Sequence, residues 1–469
     1  MGKRKSIIEE VEIVDLASKG FTIGKSDSAT VLCKGAVPGD VVKLEVLRKR
    51  KGMPEGRPVE YISHSPWRVE PKCRHFEWCG GCNWQNLGYD KQLELKSNRV
   101  SQQIKSIGGV GNFDVLPPLG CETTFEYRNK LEFTFTNHRW LTPQEIQSEK
   151  EFKTRLGLGF HVPGRYDQVM HIDECLLQHS LHNSMRNFVF ERARELGLSF
   201  NDPRSNEGLL RNVVFRNTTN NEWMVILIAR RHTNEVTQLG QDLARSFAQI
   251  KSLWVIENDK KNDSYADCNA FHIHGNATIR ETLKRADGSS VSYQVGPKSF
   301  FQTNSTQAEK LYQVVAGWAN ATKSDVVYDL YCGAGTIGLF IAAEAKQVIG
   351  AEYVKDAVAD AENNAWLNGI ENAEFFAGDL KDLISDEFFE KSGKPDIIIT
   401  DPPRAGMHHS VTERLNQSGA KRIVYVSCDA ATQARDIALL NNYRLVKIQP
   451  VDMFPHTSHM ENVALLVLK

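Results

Sequence analysis

Between residues 6 and 64 apolar and polar positions alternate in short runs, "SIIEEVEIVDLA", "GFTIGKS", "SATVLCKGAV" and "DVVKLEVLRKRKG", with glycines and a "VPGD" turn between them. A period of two broken this often predicts strands, most economically a five-stranded barrel of the oligonucleotide-binding type. Residues 65–90, "SPWRVEPKCRHFEWCGGCNWQNLGYD", keep no period and predict a loop-like connector, followed by a helical pattern from about Lys91 to Ile107. From about 120 to 290 the runs "YRNKLEFTFT" and "RLGLGFHVPG", a helix near "NSMRNFVFERAREL", and the pair "LLRNVVFRNT" and "EWMVILIARR" across "TNN" predict a mostly antiparallel α+β unit.

Beyond "SYQVGPKSFFQTN" and an amphipathic helix near "STQAEKLYQVVAGWA", strands and helices alternate to the last residue. The strands "VVYDLY", "QVIGAE", "AEFFAG", "PDIIIT", "RIVYVS", "YRLVKIQP" and "NVALLVL" predict an α/β, Rossmann-like doubly wound sheet of seven strands. The chain thus divides into a barrel at 1–64, a middle domain with its connector at 65–290, and an α/β domain at 291–469.

With 469 residues, 41% hydrophobic and 25% charged, the composition is that of an ordinary soluble protein. No apolar run reaches the length of a membrane span, and "MGKRKSIIEEVEIV" lacks the apolar stretch of a signal peptide, so a cytoplasmic protein without membrane contact is expected. No obligate protein partner is evident. The net charge of -1 gives no global sign of nucleic-acid binding, so any RNA site must be local. The run "RKRK", Arg48 to Lys51, together with Lys43, offers phosphate contacts or else forms a solvated hairpin edge. Nine cysteines are too sparse for a disulfide scaffold, and three of them, Cys73, Cys79 and Cys82, cluster in a way that suggests a metal.

The segment "DLYCGAGTIGLF" places Gly333, Gly335 and Gly338 after a strand, and Glu352 ends the next one. These features suit any adenosine cofactor, so an NAD-binding oxidoreductase is a contender. Asp329, four residues before Gly333, would repel a pyrophosphate but could hold the cationic end of S-adenosylmethionine (SAM). Asp379 in "GDL" and Asp401 in "TDPPRAG" add carboxylates after the third and fourth strands. Each acid alone reads as a helix cap or turn; together they favour a SAM-dependent methyltransferase.

"VSCDAATQARD" then sets Cys428 between a strand and a probable helix N-terminus. A buried structural cysteine is the ordinary reading of a lone thiol. Methylation of carbon 5 of uracil, however, requires a thiolate that adds to carbon 6 and a base that removes the carbon-5 proton. Backbone N–H groups at the helix end are expected to stabilise the thiolate. In "FPHTSHMENVALLVL", Pro455 and a short connection predict an antiparallel last strand, which brings Glu461 beside Cys428, with His459 as the alternative base.

These stretches, "DLYCGAGTIG", "TDPPRAG", "VYVSCDAATQARD" and "VDMFPHTSHMENVALL", resemble the SAM-dependent RNA uracil-5 methyltransferases, in particular the 23S ribosomal-RNA members that carry an iron–sulfur cluster. The resemblance covers essentially the whole chain. It implies that Cys428 is the nucleophile, that Glu461 is the base, and that Gln302, Tyr331, Glu352, Asp379 and Asp401 contact SAM or shape its pocket. It also implies an N-terminal TRAM domain that binds RNA. It further implies a four-iron, four-sulfur (4Fe-4S) cluster on Cys73, Cys79, Cys82 and Cys175, where the thiols by themselves would equally suit zinc. The family usually has Asn-Pro after the nucleophile, whereas Asp429 and Ala430 follow here. The target uridine must be flipped out or looped, and Phe300, Phe301 and Arg404 are candidates to read it, the two phenylalanines equally suiting a core role. The same reaction on tRNA, the NAD enzyme, and a catalytically idle RNA-binding protein are the other readings.

Overall fold

A computed structural model describes residues 6–50, 52–148 and 154–469; Lys51, the end of the basic run, lies outside them. Strands Ser6–Leu16, Phe21–Lys25, Thr30–Lys34, Val41–Arg50 and Met53–Ser63 close into a five-stranded barrel. Its inward positions, among them Val11, Ile13, Val31, Val42 and Leu44, are fully buried, as the alternation requires. The fifth strand carries Pro54, Gly56 and Pro58, which hide its alternation in the sequence. The barrel's basic residues are partly engaged within it: Lys43 pairs with Glu9 at 2.6 Å and Arg48 with Glu55 at 2.7 Å.

The middle sheet has seven strands in the order Ala270–Gly275, Ile250–Glu257, Trp223–Ala229, Leu210–Asn217, Lys130–Thr136, Gly157–His161 and Val169–His171. Neighbours are antiparallel except Trp223–Ala229 and Ile250–Glu257, which are parallel because helix Asn234–Ser246 crosses between them. One face buries Phe133, Phe215 and Val225 under that helix and helix Leu181–Glu195. The other face sends Val214, Met224, Ile226 and Ile256 into a core shared with the C-terminal sheet.

That C-terminal sheet runs Ala373–Ala377, Gln347–Glu352, Val326–Leu330, Ile397–Thr400, Arg422–Ser427, Glu461–Leu468, Tyr443–Val451 and Asp114–Val115. It therefore has eight strands where the sequence predicts seven. The addition is two residues long, parallel to Lys447 and Ile448, and too short to leave a periodic signal. Helix Tyr89–Gly108 packs Val100 and Ile104 against Ala430, Ala434 and Ile437 of this layer. The hairpin Ile279–Lys284 and Ser290–Val295 buries Leu283 and Tyr293 in the shared core. Physically, then, residues 89–115 and this hairpin are built onto the α/β layer. Among the described residues no helix is long and apolar enough to cross a membrane.

Candidate active site

The strand Val326–Leu330 is buried along its length and delivers the chain into a tight loop. Tyr331, Gly333 and Gly335 all have left-handed φ, of 59°, 54° and 73°. Gly335 starts helix Thr336–Ile341, and an added Cβ on Gly338 would lie 2.9 Å from Asp329 Oδ2. Its absence lets the Gly338 N–H donate to Asp329 Oδ2 at 2.8 Å, fixing the helix on the strand. Glu352 accepts from the Gly333 N–H at 3.1 Å and from the Val354 N–H at 2.9 Å, so its carboxylate is fastened to the loop. Open space faces Gly333, where a Cβ would meet nothing within 4 Å.

The other predicted residues fall at the same sheet edge with different surroundings. Asp379 is exposed and caps helix Leu380–Leu383 by accepting from the Lys381 N–H at 3.0 Å. Tyr331 is half-buried, its hydroxyl pushed up to about 12, first by burial and then by Asp436, Asp379 and Glu352. Gln302 is buried, its backbone carbonyl accepting from Asn129 Nδ2 at 2.9 Å. Phe301 is a core residue, ring centroid 5.7 Å from that of Tyr293, whereas Phe300 is 71% exposed.

The last strand is antiparallel, with Ser427 opposite Asn462 and Val426 opposite Val463. Continuing that register by one residue sets Cys428 opposite Glu461. Glu461 is buried, and burial followed by the nearby Asp401 pushes its carboxyl up to about 8. Asp401 itself is raised to about 7 by burial, as is Asp329, which also feels Asp401 and Glu352. Burial thus raises all three strand-end carboxyls, and a cation beside them would draw them back down.

The helix-end stabilisation of Cys428 is not what the structure shows. Its thiol is pushed up to about 12, by burial first and then by Glu461 and Asp401. Helix Ala430–Ile437 is capped by Asp429, whose Oδ1 accepts from the Ala431 N–H at 3.1 Å, so one helix-end donor is already taken, and Asp429 adds a negative charge where the family has a neutral Asn. Arg404 partly offsets this, pairing with Asp429 at 3.5 Å and lowering the thiol.

The loop that carries Glu461 is held from three sides by residues the sequence reading missed. Lys96 donates to Asp452 Oδ1 at 2.7 Å and to the Phe454 carbonyl at 3.1 Å, with both ions buried. Tyr89 donates to Asp452 Oδ2 at 3.0 Å, and Asn304 Nδ2 to the Met453 carbonyl at 3.0 Å. Gln92 accepts from the His456 N–H at 3.0 Å. The available signal was Gln92 and Lys96, four residues apart on a helix whose neighbouring positions Leu95 and Val100 are apolar. Removing one ion of a buried pair costs about 3–5 kcal/mol. A Lys96→Met protein is therefore expected to melt several degrees lower in calorimetry than the wild type.

Of the six cysteines between residues 65 and 290, the four that the resemblance singles out, Cys73, Cys79, Cys82 and Cys175, are all at least partly shielded. Cys82 is pushed up to about 12, by burial and by Cys175 and Cys73, and Cys175 to about 11, by burial and by Cys73. Cys79 is raised by burial and by the same neighbours. Donors aim at the sulfurs: the Gly81 N–H lies 3.4 Å from Cys79 Sγ, and Gln85 and the Leu177 backbone serve Cys82 and Cys175. Among the described residues no group of three or more His, Cys, Asp or Glu side chains is assembled to hold a metal ion, a finding that bears on the zinc and the cluster readings alike. Near these thiols, Arg74 and His75 each pair with Asp173 at 2.7 Å, tying the connector to the middle sheet.

A glycine loop with strand-end carboxyls, and a thiol facing a glutamate across an antiparallel pair, define a methyltransferase of the α/β class. The profile described as tRNA (Uracil-5-)-methyltransferase matches residues 204–469. A protein of Bacteroides thetaiotaomicron described as an uncharacterized RNA methyltransferase is 44% identical over 459 residues, 97% of this chain and all of that one. One from Porphyromonas gingivalis, described in the same words, is 44% identical over 466 residues, 97% of this chain and 99% of its own. The crystal structure of Pyrococcus abyssi tRNA (uracil-54, C5)-methyltransferase in complex with S-adenosyl-L-homocysteine is 28% identical, with a TM-score of 0.74 over 97% of this chain and 99% of that one. The chain belongs to the tRNA (uracil-5-)-methyltransferase family and is an RNA methyltransferase. That membership removes the oxidoreductase reading.

Proposed function

We propose that the protein methylates carbon 5 of a specific uridine in RNA, 23S ribosomal RNA before tRNA, through a covalent bond to Cys428 that Glu461 resolves. The observation that carries this is the register that sets Cys428 opposite Glu461, with Asp401 close enough to raise both. SAM, when bound, supplies a methyl group on a positive sulfonium. Glu352 and Asp379 suit its polar groups, Tyr331 and Gln302 shape the walls, and Asp329 and Asp401 offer negative charge to its cationic end. Cys428 Sγ, on losing its proton, bonds to carbon 6 of the uracil, which turns carbon 5 into the nucleophile. After methylation Glu461 takes the proton from carbon 5, and the Sγ–carbon 6 bond breaks as the ring double bond re-forms.

The choice of ribosomal RNA rests on the resemblance of the whole chain to cluster-bearing members of that family. The test is methyl transfer from labelled SAM to unmodified 23S ribosomal RNA and to unmodified tRNA, followed by nucleoside analysis. Label in 5-methyluridine from the ribosomal RNA is expected; label only from tRNA reassigns the substrate, and label in another nucleoside ends the uridine reading.

We further propose that Cys73, Cys79, Cys82 and Cys175 hold a 4Fe-4S cluster. What supports this is the resemblance, together with four thiols near enough to raise one another. Its role is to fasten the connector, since methyl transfer moves no electron. Protein purified without oxygen is expected to absorb near the visible bands of such clusters, and Cys175→Ser to lose that absorbance and melt lower; a colourless, equally stable wild type refutes the assignment.

A further inference from the structure

The nucleophile borders a cleft walled by Leu16 of the barrel, Trp84 of the connector, Arg99 and Gln103 of helix Tyr89–Gly108, Arg404, and His459 of the loop that leads into the last strand. Its cations differ in what they already hold. Lys96 is spent on Asp452, and Arg404 on Asp429. Arg99 is half-buried, yet among the described residues it has neither a hydrogen-bond nor an ion-pair partner. Burial lowers its guanidinium, Asp429 and Asp15 attract it from a distance, and Arg404 repels it. Its guanidinium is half-buried but its nitrogens still reach solvent, so the water they hold can be exchanged for phosphate oxygens, which their fork of N–H groups matches.

We propose that Arg99 is the anchor for an RNA phosphodiester next to the target nucleotide, completing its hydrogen bonds only when RNA enters the cleft. This rests on the reading of the protein as an enzyme that brings an RNA nucleotide to Cys428. The site lies on the substrate side: Arg99 shares its cleft with Cys428 and Asp429, whereas the glycine loop lines none of it. A phosphate there would also reach the exposed Arg404, exchanging part of its pairing with Asp429 for a stronger anion.

The experiment measures the affinity of the full-length wild type, Arg99→Gln, Arg99→Met and Arg99→Lys for fluorescent single-stranded oligouridylate over a range of salt, with S-adenosylhomocysteine affinity as the control. Losing one phosphate contact should weaken binding about tenfold at low salt and make the slope of log affinity against log salt shallower by about 0.7. Both neutral variants should show this, Arg99→Lys should keep the wild-type slope, and cofactor affinity should stay unchanged in all of them. A wild-type slope in Arg99→Gln or Arg99→Met overturns the proposal. So does an equal loss in Arg99→Lys, or neutral variants that fail to fold, which would make Arg99 a strut between helix and barrel Asp15. A wild type without salt-dependent RNA binding overturns both this inference and the reading beneath it.

Discussion

Glu461→Gln protein incubated with SAM and substrate RNA accumulates a denaturation-resistant RNA–protein species, and Cys428→Ala protein forms none. The proposed mechanism predicts this pairing of outcomes. One residue beyond the Ser427–Asn462 pair, Cys428 falls opposite Glu461, and in the proposed mechanism loss of the thiol removes the bond to carbon 6, so turnover is expected to fall below detection. Loss of the carboxylate leaves that bond able to form but slows its release, by about 10²–10⁴-fold for a general base. Intact-mass analysis after nuclease trimming reads both. In the wild type the release step should quicken as pH rises toward and past about 8, where Glu461 gives up its proton. Trapping that depends on His459 and not on Glu461 would move the base to that residue.

Glu461→Gln should also be the more stable protein, by a margin that grows as pH rises from about 4 to about 8. The Glu461 carboxyl is raised by burial and by Asp401 to about 8, well above its value of about 4.3 in an unfolded chain. Below pH 4 it is protonated in both states and costs nothing. Between about 4 and 8 the unfolded chain sheds the proton that the folded chain keeps, so stability falls with rising pH across that window and levels off above it. At pH 8 the penalty is on the order of 4–5 kcal/mol, and Gln, neutral throughout, escapes it. Thermal melts of both proteins at pH 5 and pH 8 should show the variant gaining several degrees at pH 8 and little at pH 5. An equal gain at both values would mean that packing, and not ionisation, decides.

What the sequence makes legible follows from period and topology. Seven strands of the C-terminal sheet show as apolar runs because both their faces are covered. The antiparallel return of Glu461 could be argued from Pro455 and a short connection, since few topologies satisfy both. Residues whose setting depends on distant segments were harder to read. Asp429 beside Cys428 shows in the sequence, but its capping of the following helix is a matter of side-chain direction. Lys96 and Asp452 lie 356 positions apart, and nothing local marks them as a pair. Arg99 reads as one more charge on an amphipathic helix until the barrel and the nucleophile loop close around it.

The core shared by the middle and C-terminal sheets bears on how such an enzyme can diversify. Met224, Ile226 and Ile256 lie in one hydrophobic cluster with Val327 and Val424, while helix Tyr89–Gly108 and the strand Asp114–Val115 reach across to the far side. Residues 291–469 are therefore not a portable catalytic cassette, because excising them would bare apolar surface on both flanks. The barrel has an apolar cluster of its own and is the more separable part. Recombination among relatives should therefore trade barrels more readily than any other part, provided that the contacts of Leu16 and Val37 with Trp84, Leu87 and Leu95 are kept.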